Sequence, residues 1–300
     1  MAQAKANGIT LEYDVHGPAS GEPVLLIMGL GAQMTRWPTP FIELLAAQGL
    51  KVIRFDNRDV GLSEKIEAGG LPDLTKVIGA IMQGQKPDVP YLLDDMAADA
   101  VGLLDALGIA RAHIVGASLG GMVAQLVAAD YPDRVLSLTS IMSTTGNREL
   151  PPAKPEAIAV LNNRGPDPLV DLDGYLDHSI KGARAIGSPG YPQPEASIRE
   201  SSLASFQRSY YPPGFARQYA AAAASADRRP KLAGVTAPTV VIHGDDDPLV
   251  PVEGGHDTAA HVPGSELRIV PGMGHDFPPE LYGEIADGIL RAVERSKASA

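Results

Sequence analysis

The 300-residue chain has no cysteine. Disulfides, a thiolate nucleophile and cysteine-ligated zinc are thereby excluded. It also lacks a run of the roughly 18 apolar residues that would span a bilayer. The N-terminal segment MAQAKANGITLEYDV has no apolar stretch suited to a signal peptide. Positive charge is not in excess, since Lys and Arg number 25 against 36 Asp and Glu, a net charge of -11. That balance argues against nucleic acid or an anionic membrane surface as a partner. No internal repeat is present. These absences lead to the expectation of a soluble cytoplasmic protein, monomer or homodimer, acting on a small molecule.

What is present is a core-sized chain, with 44% hydrophobic and 20% charged residues, an ordinary globular composition. ITLEYDVHG alternates apolar and polar residues and ends at a Gly-Pro turn, which reads as a half-exposed strand. Val24 to Met28 form an unbroken apolar run, as in a strand covered on both faces. FIELLAAQ at 41–48 has helical spacing with Gly49 as its stop. LKVIRF is a further β run. Residues 94–107 read as an amphipathic helix capped by Asp94 or Asp95. AHIVGAS, LGGMVAQLVAADYP and VLSLTSIMS continue as strand, helix and strand. This alternation predicts a parallel sheet with crossover helices.

The alternation breaks over residues 147–233, which are rich in proline and glycine and carry only helical pieces, one of them alanine-rich. Strand signals resume at APTVVIHG, followed by a helix near 252–261, the strand ELRIV and a C-terminal helix. The reading is one α/β domain, 1–146 with 234–300, interrupted by a mainly helical insertion at 147–233.

Gly116-Ala117-Ser118-Leu119-Gly120 fits G-x-S-x-G between a strand and a helix. In that context a sharp turn projects the serine hydroxyl at the carboxyl end of the sheet. A serine hydroxyl is a weak nucleophile at neutral pH and needs a base, which in turn needs an orienting acid. The chain order in such folds is Ser, acid, His. HGDDDPLVP supplies the acid after a strand. Asp247, deepest in the turn, is the choice, with Asp245 and Asp246 as alternatives. The segment after the preceding strand, LTSIMSTTGN, has no carboxylate. His275 is the histidine that follows a later strand in a glycine-rich loop, PGMGHDFP. His113 and His243 lie within strand runs and read as packing residues. The oxyanion of a tetrahedral intermediate needs two backbone N–H donors. Leu119 and, in MGLGAQ, Leu30 fit.

MGLG, DNRDVGLS, GASLGG, HGDDDPLVP and PGMGHDFP together resemble the α/β-hydrolase superfamily over nearly the whole chain. In detail they resemble the esterase and methylesterase branch that includes aclacinomycin methylesterase. The resemblance implies an α/β-hydrolase fold with a mostly parallel eight-stranded sheet flanked by helices, and a helical lid inserted after the sixth strand. It implies that Arg58 and Asp59 support loop structure. Many members carry His where this chain has Met28. The expected chemistry is hydrolysis of a medium-sized hydrophobic ester, with no metal or organic cofactor. Met34, Trp37, Phe206 and Tyr210, with Tyr211 and Phe215, are the candidate substrate contacts. C–C bond hydrolysis, cofactor-free perhydrolysis or haloperoxidation, and a non-catalytic small-molecule receptor are the alternatives.

Overall fold

The computed structural model describes residues 1–163 and 165–298. Eight strands form one sheet: β1 (Ala2–Ala6), β2 (Ile9–His16), β3 (Glu22–Ile27), β4 (Leu50–Phe55), β5 (Ala112–Ala117), β6 (Val135–Ile141), β7 (Thr239–Gly244) and β8 (Glu266–Val270). Their order is β1-β2-β4-β3-β5-β6-β7-β8. From β4 to β8 every pairing is parallel, whereas β1 and β2 are antiparallel to their neighbours.

The unbroken apolar runs are explained by burial on two faces. Successive side chains of β3 point to opposite sides. Val24 and Leu26 join a layer containing Phe41, Ile42 and Leu45 of α1 (Thr39–Ala47) and Ile285, Ile289 and Val293 of α11 (Tyr282–Ala298). Leu25 and Ile27 join a second layer containing Met96, Ala100 and Leu104 of α3 (Leu93–Ala106) and Val123 and Val127 of α4 (Leu119–Asp130). Among the described residues, no helix is long and apolar enough to cross a membrane.

Two elements have no counterpart in the sequence reading. The first is β1, a mostly exposed strand of small and polar residues, AQAKA. Its signal was the adjoining Asn7-Gly8, whose φ angles of 49° and 82° make the two-residue turn into β2. The second is α2 (Leu74–Met82), capped by Asp73, whose carboxylate accepts the N–H groups of Thr75 and Lys76. The start of α3 also differs from expectation. Leu92 occupies the cap position, and Asp95 accepts the Leu92 N–H at 2.8 Å from inside the first turn. Asp94 instead faces Lys231 at 3.2 Å.

Between β6 and β7 the chain forms α5 (Pro155–Asn162), α6 (Leu172–Ile186), α7 (Glu195–Arg208), α8 (Pro212–Ala224) and the short α9 (Arg229–Leu232), and α10 (Glu253–His261) follows β7. These inserted helices are fastened to the loop after β4 by buried charge. Asp59 accepts Arg217 Nε and Nη2 at 3.0 and 3.1 Å, the Tyr91 hydroxyl at 2.8 Å and the Ile66 N–H at 2.8 Å. Arg208 meets Asp56 at 2.8 Å, and Arg58 is paired with Asp99 at 2.6 Å. The loop-supporting role expected for Arg58 and Asp59 thus has a physical form.

Asp59→Asn retains a residue that tolerates the observed φ of 69° but strands the Arg217 guanidinium. A loss of about 3–5 kcal/mol is expected from breaking such a pair, read as a lower urea midpoint at unchanged m-value.

Candidate functional site

Ser118 sits between β5 and α4 with φ 56° and ψ −123°. A non-glycine residue in that region costs roughly 1–3 kcal/mol and must be held there by its surroundings. Three glycines permit the hold. A Cβ on Gly116 would lie 2.0 Å from the Gly120 carbonyl oxygen, one on Gly120 2.1 Å from the Ile27 oxygen, and one on Gly121 2.5 Å from Ser143 Cβ. The Ser118 N–H donates to Ile141 O at 2.9 Å, and the Ser143 hydroxyl donates to Ser118 O at 2.8 Å.

Ser118 Oγ lies 2.9 Å from His275 Nε2, and His275 Nδ1 lies 2.7 Å from Asp247 Oδ2. A carboxylate at Nδ1 requires a proton there. Nε2 is then left with a lone pair to accept the serine hydroxyl. The sequence left three aspartates open, and the geometry separates them. Asp247 is buried, and its second oxygen accepts the N–H groups of Leu249 and Val250 at 2.9 and 2.8 Å. Asp245 is exposed and accepts the Gly272 N–H at 2.7 Å. Asp246 is exposed as well.

His243, read from the sequence as a packing residue, lies behind this relay. It is fully buried, its Nε2 is 2.8 Å from Val250 O, and the same nitrogen is 3.6 Å from Asp247 Oδ2. Burial pushes its pKa below the ordinary histidine value despite the nearby Asp247. A neutral His243 donates to the Val250 carbonyl and braces the turn that carries Asp247. Its strand position gave no hint of this, because the contact forms only once the following turn folds back.

The loop carrying His275 is hydrogen-bonded to the connection between α6 and α7. The His275 N–H donates to Ile186 O at 2.7 Å, Gly274 N–H to Ser188 Oγ at 2.9 Å, and Gly190 N–H to Gly272 O at 3.0 Å. Asp276 accepts the Ser188 N–H at 3.0 Å and the Ser188 hydroxyl on one oxygen, and Gln193 Nε2 at 2.9 Å on the other. Gly274 allows the approach, since a Cβ there would lie 2.4 Å from Gly187 O.

A cavity of about 890 Å³ opens over Ser118, Leu119, Leu30 and His275. A neighbouring one of about 440 Å³ shares Leu30, Phe215 and His275 with it. Phe206, Tyr210 and Tyr211 line the smaller cavity. Met34 and Trp37 do not belong with them. Both are fully buried, and Trp37 stacks on Phe41 and meets Phe277 in a tilted contact, at centroid distances of 5.7 and 5.0 Å. The physical reason is the one-turn helix Met34–Arg36, pinned by Asp56 accepting the Met34 N–H at 2.7 Å. It turns residues 34 and 37 into the core and leaves Arg36 on the cavity wall. The sequence reading also missed Tyr175 and Tyr282, which line the smaller and the larger cavity. Among the described residues there is no cluster of groups suited to a metal ion.

Comparison with known proteins gives a consistent picture. A family model described as alpha/beta hydrolase fold matches residues 22–280. The chain is 28% identical over 299 residues to rhodomycin D methylesterase DauP of Streptomyces sp. (strain C5), covering 94% of each protein. It is 27% identical over 299 residues to rhodomycin D methylesterase DnrP of Streptomyces peucetius, again covering 94% of each. In fold it is similar to the meta-cleavage product hydrolase CumD of Pseudomonas fluorescens IP01, with TM-score 0.74 and 19% identity, covering 99% of this chain and 98% of that one.

Two outcomes are expected of this arrangement. Ser188→Ala removes the acceptor of the Gly274 N–H and a donor to Asp276. It should lower the turnover of any Ser118-dependent reaction about tenfold, roughly one lost hydrogen bond to a charged group, with little change in KM. In the folded state the depressed pKa of His243 means fewer bound protons than in the unfolded chain as pH falls through about 6.5. Stability should therefore fall on acidification below that pH, and His243→Asn should flatten the dependence of Tm on pH.

Proposed function

From the premise that the chain belongs to the α/β-hydrolase family, we propose that it is a serine hydrolase of carboxylic esters working through an acyl-enzyme. The observation that carries this reading is the continuous relay from Ser118 Oγ through His275 to Asp247, at 2.9 and 2.7 Å. Ser118 attacks the ester carbonyl while His275 Nε2 takes its proton. Asp247 holds the imidazole tautomer and stabilises its cation. The N–H groups of Leu30 and Leu119 take the oxyanion. His275 returns the proton to the leaving alcohol, and water repeats the attack to release the acid. No step calls on a metal or an organic cofactor.

The helices α5 to α9 act as the lid and, with Phe206, Tyr210, Tyr211 and Phe215, set substrate choice. Cavities of about 890 and 440 Å³ suit a medium-sized, largely apolar ester. The methylesterase relatives favour a methyl ester. The work is placed in the cytoplasm, on small molecules, by a monomer or homodimer.

Labelling with a fluorophosphonate followed by peptide mapping should modify Ser118 alone. Ser118→Ala should reduce kcat on a p-nitrophenyl ester by about 10⁴–10⁶-fold while the ligand still binds. Modification elsewhere, or retained turnover in that variant, overturns the assignment. Perhydrolysis measured beside hydrolysis separates the alternative peroxide chemistry.

A further inference from the structure

Arg36 stands apart from the other cationic side chains around the two cavities. Arg208 is neutralised by Asp56 at 2.8 Å and also donates to Gln33 at 2.6 Å. His178 is bonded to Asn163 O at 2.9 Å, and His275 belongs to the relay. Arg36 borders both cavities. Among the described residues no carboxylate comes within ion-pair distance of it. The acid that does influence it, Asp276, is already occupied by Ser188 and Gln193. The surrounding protein lowers the Arg36 pKa from the ordinary arginine value, with Asp276 and Tyr282 acting in the opposite direction, while the side chain itself stays exposed. Asp276 acts on it only from a distance, so among the described residues the exposed Arg36 guanidinium stands at the cavity wall without a direct ion-pair partner.

The backbone that carries it is also held before any ligand arrives. The turn that carries it is anchored on one side by Met34, whose N–H is held by Asp56, and on the other by the Trp37 core contacts. Side-chain ordering cost on binding is reduced when the backbone is preorganised in this way. The same cavity holds Ser118, Leu30 and His275, so an anion on Arg36 and an ester carbonyl at Ser118 belong to one ligand.

We propose that Arg36 is a carboxylate-binding subsite, and that the preferred substrates are acidic esters carrying a free carboxylate besides the scissile group. Arg36 offers its fork of N–H donors to the two carboxylate oxygens, a strong and geometrically selective pairing. The rest of the wall is mostly apolar and accepts the connecting chain. Besides Asp276, which borders both cavities, Glu200 is the opposing charge to consider. It borders only the larger cavity and is exposed. It sets the end of the chamber where an anion is disfavoured.

This inference rests on the serine-hydrolase reading, and the experiment separates the two. Monomethyl and dimethyl esters of adipate, suberate and sebacate are compared by kcat/KM in the wild type, Arg36→Gln, Arg36→Lys and Glu200→Gln. For the best-fitting length, the wild type should favour the half-ester by about 10- to 100-fold. Arg36→Gln should erase the preference by raising KM for the half-ester, with the dimethyl ester unchanged within about twofold. Arg36→Lys should keep part of it, and Glu200→Gln should preserve or increase it. The proposal is overturned if the wild type shows no preference, if the preference survives in Arg36→Gln, or if both esters fall together. A preference for methyl 6-aminohexanoate that depends on Glu200 overturns it as well. If the dimethyl ester is not hydrolysed in a Ser118-dependent way, the hydrolase reading fails. Calorimetric binding of free suberate, present in the wild type and lost in Arg36→Gln, then still decides the subsite.

Discussion

The close approach of backbone to backbone at the end of β5 is the constraint on which the site depends. Gly116, Gly120 and Gly121 let strand and helix come so near that a single added methyl group would overlap a carbonyl oxygen or Ser143. The sheet supplies the force that keeps Ser118 in its unfavourable backbone angles. β5 lies in the middle of eight strands, hydrogen-bonded on both edges and buried along its length. Strain at a reactive residue persists only where packing over-determines it, and the central strand of a two-layered core is such a place.

A second theme is the use of buried charge to join the insertion to the sheet. Asp56 and Asp59 lie just past β4 and are satisfied from both sides. Asp56 receives Met34 N–H and Leu62 N–H from the chain before the insertion and Arg208 from α7. Asp59 receives Tyr91 and Ile66 from the core and Arg217 from α8. Such pairs add little net stability over an apolar contact, but they discriminate strongly against any arrangement that leaves one partner unpaired. They fix where the cavity walls stand relative to Ser118. Gln218 works similarly without charge, accepting the Gly31 N–H and donating to Arg58 O, each at 2.8 Å.

Much of this was legible in the chain. Apolar runs such as Val24 to Met28 marked buried strands, and glycine spacing around Ser118 marked the turn. Chain order points to His275 and to the aspartates after β7, of which Asp247 is the choice by its place in the turn with Asp245 and Asp246 as alternatives, and the fold sets Asp247 and His275 in line with Ser118. What stayed hidden had physical causes. β1 is too polar to announce itself except through its Asn-Gly turn. Met34 and Trp37 looked like ligand contacts because a large apolar residue near a glycine loop suits either a wall or a core. Only the tight turn at 34–36 decides, by rotating Arg36 to the opposite side. The bracing of Asp247 by His243 was invisible because it depends on a three-dimensional return of the chain.

The bonding of residues 186–193 to the loop at 272–276 has a mechanical corollary. If that part of the roof lifted, Ile186 O and Ser188 would pull on the very segment that bears the imidazole. Raising the roof there would draw the base away from the serine, so an unlatched chamber would be unarmed. Under the proposed mechanism, acylation and water attack would then be restricted to moments when the roof is seated and bulk solvent is held back.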